Sequence, residues 1–342
     1  MMIRRFGAAI AFLAGLAIAM ALAAHAGFSA IARSFAAVGW SGLVEICLLQ
    51  LLSVAICAAA WRAVACGPSY LACLLSRWIR DGASNLVGFI PAIGEGISAR
   101  ALAVFGGASA GDAAATTIVD VGVEALSQAV YTLIAFALLF PHLAVRQELR
   151  WILIVILSLA PVLMMFVISG NSKALRLGQK LVARLAALLG VQGGAFNLAE
   201  AVRVIYRQRQ RIGVSLVLHL IAWTTGAVQV WLAASAIGAP VTLLDGLALH
   251  GLVYAARSAV FFIPWAAGVQ EGGFLLVGAV LGLSPADAIA LSLVLRARDV
   301  LVSTPAVVLW YAAEARRRWT YSRRPIANPG PTSAAAGGGE PL

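Results

Sequence analysis

Glu95 in "FIPAIGEG" (residues 89–96) and Glu271 in "FIPWAAGVQEGG" (residues 262–273) are carboxylates set inside strongly apolar sequence, each preceded by a proline and flanked by glycine. A charged side chain at the centre of a bilayer costs about 2.5–3.5 kcal/mol on insertion scales, so each acid needs a cation, a proton or water. Two further sets could supply the charge balance. Asp120 and Glu124, four apart in "TTIVDVGVEALSQ", share one helix face. Arg296, Arg298 and Asp299 lie in "SLVLRARDVLVSTP". Taken together these residues read as a central polar site with compensated charge, built from Pro91, Gly94, Glu95, Asp120, Glu124, Pro264, Gly268, Glu271, Arg298 and Asp299, that binds or passes a polar group. The plainer reading is that they pair with one another and hold a helix bundle together.

Other charged residues read more simply. Asp112 follows Ser109 by three and Asp287 follows Ser284 by three, the spacing of a helix-starting capping box. Arg77, Arg80 and Asp81 read as snorkelling to an interface, and Trp61 beside Arg62 as an interfacial anchor. The cysteines form no CxxC pair and the histidines no HxxxH or HExxH spacing, so neither a metal nor any other cofactor is expected, and no catalytic residue is identified.

The elements that must position these groups are membrane spans. The 342 residues are 62% hydrophobic and 11% charged, against about 25% charged for a soluble domain. Apolar segments long enough to cross run roughly over 6–26, 41–60, 68–90, 113–140, 151–169, 214–237, 242–263 and 286–312, with shorter ones near 92–106 and 267–283. The first of these, with Arg4 and Arg5 before it, reads as an uncleaved span rather than a signal peptide. The expected fold is an all-α integral membrane protein of about 8–10 transmembrane helices, a single polytopic domain over 1–316, in the inner (cytoplasmic) membrane. Residues 170–213 read as a basic amphipathic connector lying on an anionic membrane face, and 317–342 as a basic, then disordered, tail. The net charge of +11 falls between and beside spans, which fits the positive-inside bias rather than nucleic-acid binding.

An internal repeat organises the broken segments. "FIPAIGEGISARALAVFGGASAGDAA" and "FIPWAAGVQEGGFLLVGAVLGLSPADAI" share Phe, Ile, Pro, Gly, Glu and Gly, then Ser-x-x-Asp-Ala, in order. Ser109 to Ser284 and Asp112 to Asp287 are both offsets of 175 residues. Repeat halves of about 68–140 and 242–312 follow, each with a Pro/Gly-broken or re-entrant segment. Paired broken segments of this kind point to a transporter's binding site.

The P-x-x-G-E stretch, the R-x-L beginning at Arg100, the acidic span and "PWAAGVQEG" with Arg298 and Pro305 resemble the transmembrane region of lysylphosphatidylglycerol synthases and their stand-alone, flippase-like relatives. The resemblance implies movement of lipid between leaflets, with Pro91, Gly94, Glu95, Arg100, Pro264, Gly268, Glu271 and Arg298 carried over as site residues. Val121 stands where that family commonly has an arginine, and the sequence after Pro305 leaves no room for an aminoacyltransferase domain, so no enzyme activity is expected. Its length is similar to that of the branch associated with hopanoid biosynthesis. The implied partners are membrane lipids and lipid-biosynthesis enzymes. The competing readings are a membrane-embedded transferase acting on a lipid or polyprenyl substrate, and a non-transporting member of a lipid-synthesis complex.

Overall fold

A computed structural model describes residues 27–65, 67–86, 93–143, 198–260 and 263–322, with Ala17, Met20, Ala21 and Ala24 before them. Among the described residues the secondary structure is entirely helical: α1 Phe28–Val64, α2 Tyr70–Leu86, α3 Ile93–Gly106, α4 Ala110–Leu143, α5 Leu198–Arg207, α6 Arg209–Ala236, α7 Leu243–Ala259, a 3-10 turn Pro264–Ala266, α8 Val269–Val280 and α9 Pro285–Ser322. The apolar segments expected over 6–26 and 151–169, and most of the 170–213 connector, lie outside these residues. Three of the helices, α1, α4 and α6, are long and apolar enough to cross a membrane. They present Leu48, Leu52, Leu133, Phe140, Val217 and Ile221 outward, the face a bilayer would solvate.

The two broken segments are helical hairpins. In the first, α3 folds back along α2, with the position of a Cβ on Gly94 falling 2.7 Å from the Arg80 carbonyl and that on Gly106 falling 3.2 Å from Ala72 and Pro68. Pro91 lies outside the described residues, between the two helices. In the second, α7 ends at Ala259, and the chain turns through Trp265 (φ 62°) and Ala266 (φ 45°) before α8 starts at Val269. Both hairpins then leave through a left-handed glycine, Gly107 (φ 64°) or Gly282 (φ 83°), again 175 residues apart. The next helix starts as the spacing predicts: the amide N–H of Asp112 donates to Ser109 Oγ, and that of Asp287 to Ser284 Oγ.

Helix packing extends the repeat upstream. The set α1, α2, α3, α4 corresponds to α6, α7, α8, α9, and the main contacts are preserved under that exchange: α1 on α6, α2 on α9 as α7 on α4, α1 on α9 as α6 on α4, and α1 on α2 as α6 on α7. The helices on the pseudo-axis, α1 and α6, run antiparallel, since Gln50 meets Gln229 while Ser53 Oγ donates to the Ala222 carbonyl. The same sense holds in the exchanged pairs: Asn85 bonds Ser303 while Gly82 meets Ala306, and Gln128 bonds Ser258 while Gly251 meets Ala135. A twofold relating antiparallel helices runs perpendicular to them, so the halves are inverted relative to the helix direction.

Two apolar cores lie toward opposite ends of the long helices. One joins Trp61, Cys73, Leu102, Val119 and Val123, the other Ile46, Leu139, Val230, Leu249, Phe274 and Leu295. Trp61 is therefore core rather than an interfacial anchor. Gly94 is a position where this packing tolerates no side chain, because a Cβ there would stand 2.0 Å from Ser84 Oγ. Gly94→Ala is expected to lower stability by about 1–3 kcal/mol, the usual cost of overpacking, read as thermal unfolding of the purified protein in detergent. Gly272→Ala, whose Cβ meets nothing within 4 Å, is the control expected to hold or raise stability. Identical melting of Gly94→Ala and the parent would show that the hairpin is not tightly packed.

Candidate functional site

Between the two apolar cores the long helices turn polar. α1 contributes Gln50, Ser53 and Cys57, α6 contributes His219 and Trp223, and the hairpins and following helices contribute charged residues. These surround a cavity of ≈ 180 Å³. A smaller neighbouring cavity is lined by Ser84, Asn85 and Leu86 from the end of α2 and by Arg257 and Trp265 from the second hairpin. The end of α2 in the first hairpin and the Trp265 turn of the second therefore meet at the polar layer.

The first-half wall is built around two buried arginines of α2. Arg77 forms a two-pronged pair with Glu124, 2.6 and 3.0 Å, and reaches Asp81 at 3.1 Å. Arg80 lies 2.8 Å from Glu124, 3.4 Å from Asp120 and 3.3 Å from Glu95. Both guanidinium groups are at most 9% exposed, so the interfacial placement expected of them does not hold. They are the cations that the carboxylates of α3 and α4 require. A planar guanidinium with several donors serves multiple carboxylates at once, which a lysine ammonium cannot do with the same geometry. On the other side of Asp120, His219 Nε2 lies 3.1 Å from Oδ1.

The second-half wall differs. Arg298 donates to Gln229, to the Tyr254 hydroxyl at 2.8 Å and to Asp299. Arg257 stacks over the Tyr254 ring at 4.7 Å. Its Nη1 lies 3.7 Å from Asp299 and has no hydrogen-bond partner among the described residues. Trp223, His250 and Tyr254 pack as a ring cluster at the same wall, with centroids 4.3–6.0 Å apart. Asp299 and Glu124 are again 175 residues apart, and each holds an arginine at the cavity.

Glu95 and Glu271 occupy the same third position of their short helices but do different things. Glu271 is 3% exposed. It accepts from the Gly268 amide at 2.9 Å and Ser292 at 3.1 Å, and forms a two-pronged pair with Arg296 at 2.6 and 3.0 Å. Arg296 also donates to the Trp265 carbonyl, so this carboxylate ties down the left-handed turn and the α8 N-terminus together. Glu95 contacts Arg80 at 3.3 Å and its side chain is 29% exposed. Pro264 opens the 3-10 turn and Gly268 (φ 77°) caps α8. Arg100 does not line the cavity; it pairs with Glu314 and ties α3 to α9.

Of the residues picked from the sequence, Glu124, Arg298 and Asp299 line the cavity, while Glu95, Asp120 and Glu271 sit against its arginines or hold its frame. Sequence reasoning missed His219, His250, Tyr254 and Arg257. An arginine within the apolar 242–263 segment was the available signal, since an ionisable group there is a site candidate on cost alone. Among the described residues no group of three or more His, Cys, Asp and Glu side chains is placed to hold a metal ion.

Residues 7–306 match the family described as the lysylphosphatidylglycerol synthase TM region. The chain belongs to that family. Neither a curated protein nor a solved structure matches it. Membership makes this a membrane protein related to lipid modification or transport, and it places both hairpins and the cavity inside the family region.

The different surroundings of the two repeat glutamates give them different expected phenotypes. Glu271→Gln strands the Arg296 guanidinium, and loss of one partner of a buried pair costs about 3–5 kcal/mol, so reduced thermal stability in detergent is expected. Glu95→Gln is expected to cost less than half of that. Adding Arg296→Gln to Glu271→Gln should recover part of the loss by removing the unpaired charge. Equal destabilisation by the two Gln variants would contradict the assigned roles.

Proposed function

We propose that this protein moves the polar headgroup of a membrane lipid between leaflets, with the central cavity as the passage. The observation that carries this is the polar cavity where two inverted hairpins approach each other, at the end of α2 and the Trp265 turn. Set across a bilayer along α1, α4 and α6, the pseudo-twofold axis lies in the membrane plane. The hairpins then enter from opposite sides and the end of α2 meets the Trp265 turn at mid-depth, the arrangement that transporters with inverted repeats use to build a site and alternate access to it.

The cavity's size and lining support a headgroup as cargo. At ≈ 180 Å³ it falls below the roughly 300–1,000 Å³ of drug-sized ligand pockets, so it suits a headgroup whose acyl chains stay in the bilayer. Its walls are charged, with Glu124 and Asp81 on one side and Arg257, Arg298 and Asp299 on the other. A charged headgroup replaces water contacts with these groups, which the hydroxylated hydrocarbon of a hopanoid does less well. The protein acts as a multi-pass protein of the inner membrane, as a transporter rather than an enzyme, alongside the enzymes that make its lipid.

Arg257 is the residue placed to meet a phosphate, because its Nη1 has no hydrogen-bond partner among the described residues and it borders both cavities. A hydrogen bond to a charged group contributes about 1.5–3 kcal/mol, about 10- to 100-fold in rate if lost at the limiting step. Arg257→Gln is expected to slow transfer of a fluorescent phosphatidylglycerol by that factor in reconstituted vesicles, read by dithionite quenching. Transfer at the parent rate by a fully incorporated Arg257→Gln protein, or no transfer above empty vesicles by the parent, would count against the reading.

A further inference from the structure

Four carboxylates, Asp81, Glu95, Asp120 and Glu124, face two arginines, Arg77 and Arg80, in the first-half wall. Counted as ionised groups, four negative charges against two positive ones leave two uncompensated among the described residues of this wall. An excess of that kind is costly where solvent is largely excluded. It is relieved by protons or by a bound cation.

His219 is the neighbour built to respond. It is 1% exposed, its Nε2 touches Asp120, and its Nδ1 is buried without a hydrogen-bond partner among the described residues. A neutral imidazole has one donor and one acceptor nitrogen, whereas the protonated ring donates from both. The ring forms part of the cavity wall, which gives a proton a route to it. Titratable and charged groups that share its cavity come from every packed element, Cys57 on α1, Arg77 and Asp81 on α2, Glu124 on α4, His250, Tyr254 and Arg257 on α7, and Arg298 and Asp299 on α9, while Arg80 on α2 reaches its partner Asp120.

We propose that His219 and Asp120 form a proton-binding site, loaded and unloaded as the headgroup passes, so that lipid movement is coupled to a proton. This rests on the translocation reading above. A proton on His219 makes its contact with Asp120 an ion pair and ties α6 to α4; its loss weakens that tie. Because α6 also carries the pseudo-axis contact with α1, the tie bears on how the two halves sit against each other. The equivalent helix, α1, has no histidine, so the titratable link belongs to one half only.

Two measurements on the full chain test this. In weakly buffered detergent near neutral pH, adding short-chain phosphatidylglycerol is expected to change bound protons by on the order of one per chain, read with an indicator dye. His219→Gln and Asp120→Asn, checked for monodispersity, are expected to remove the change. In phosphatidylethanolamine–phosphatidylglycerol vesicles, a pH gradient of about one unit is expected to hold a fluorescent phosphatidylglycerol at about a tenfold leaflet ratio under one-to-one coupling. Label that crosses but settles evenly under the gradient, or follows a sodium gradient instead, overturns the proton site and leaves translocation standing. If no label crosses, the translocation reading falls, and absence of a proton change on lipid addition overturns the proton site by itself.

Discussion

An arginine and a glutamate buried together must be held at contact distance from both sides, and the Arg77–Glu124 pair imposes that condition on this fold. Separating the two would leave ionised groups uncompensated in a medium that solvates them poorly. The pair joins α2, part of a hairpin, to α4, the long helix after it, and Arg80 extends the link to Asp120 and to Glu95 on α3. The position of the first hairpin is therefore set by charge pairing along one face. Apolar packing continues along that face toward the other end of α2, where Cys73 and Leu102 join the core at 0% exposure. A helix of this length with internal arginines would be unstable alone in lipid; against α3, α4 and α9 its charges are satisfied.

The same requirement is met differently in the second half, where the chain itself bends to meet the charge. Trp265 and Ala266 adopt left-handed backbone angles, a conformation costing about 1–3 kcal/mol per residue. Arg296 holds that turn by binding the Trp265 carbonyl and Glu271 together, and Glu271 also accepts from the amide of Gly268, the residue that caps α8. Removing Glu271 would release a strained turn as well as a cation. Two glutamates at matching positions thus serve one hairpin as a latch and the other as a more exposed partner of Arg80.

Repetition and charge pairing together explain why the cavity sits where it does. Under the exchange of halves, each hairpin's entry helix packs against the other half's long helix, which brings the end of α2 and the Trp265 turn to the same level. The groups converging there are unlike: among the described residues, carboxylates outnumber arginines on the first-half wall, while Arg257 on the second keeps a nitrogen without a hydrogen-bond partner. An inverted pair of similar backbones thereby encloses a site with two different ends.

Composition and apolar run length identified a helical membrane protein, because burying about 20 apolar residues in succession has no other common use. The Pro/Gly/Glu stretches marked the hairpins, since proline and glycine act on the backbone locally and show in sequence whatever the surroundings. The 175-residue offset marked the repeat, down to Glu124 and Asp299. Partnership was not readable in the same way. Arg77 and Arg80 read as snorkelling to an interface, and Arg100 pairs with Glu314, 214 residues away. His219 carried no spacing signal, because its partner Asp120 lies 99 residues away. Local sequence determines where the backbone can bend and which segments lipid can solvate; which charges meet depends on helices distant in sequence being packed side by side, and only the tertiary structure decides that.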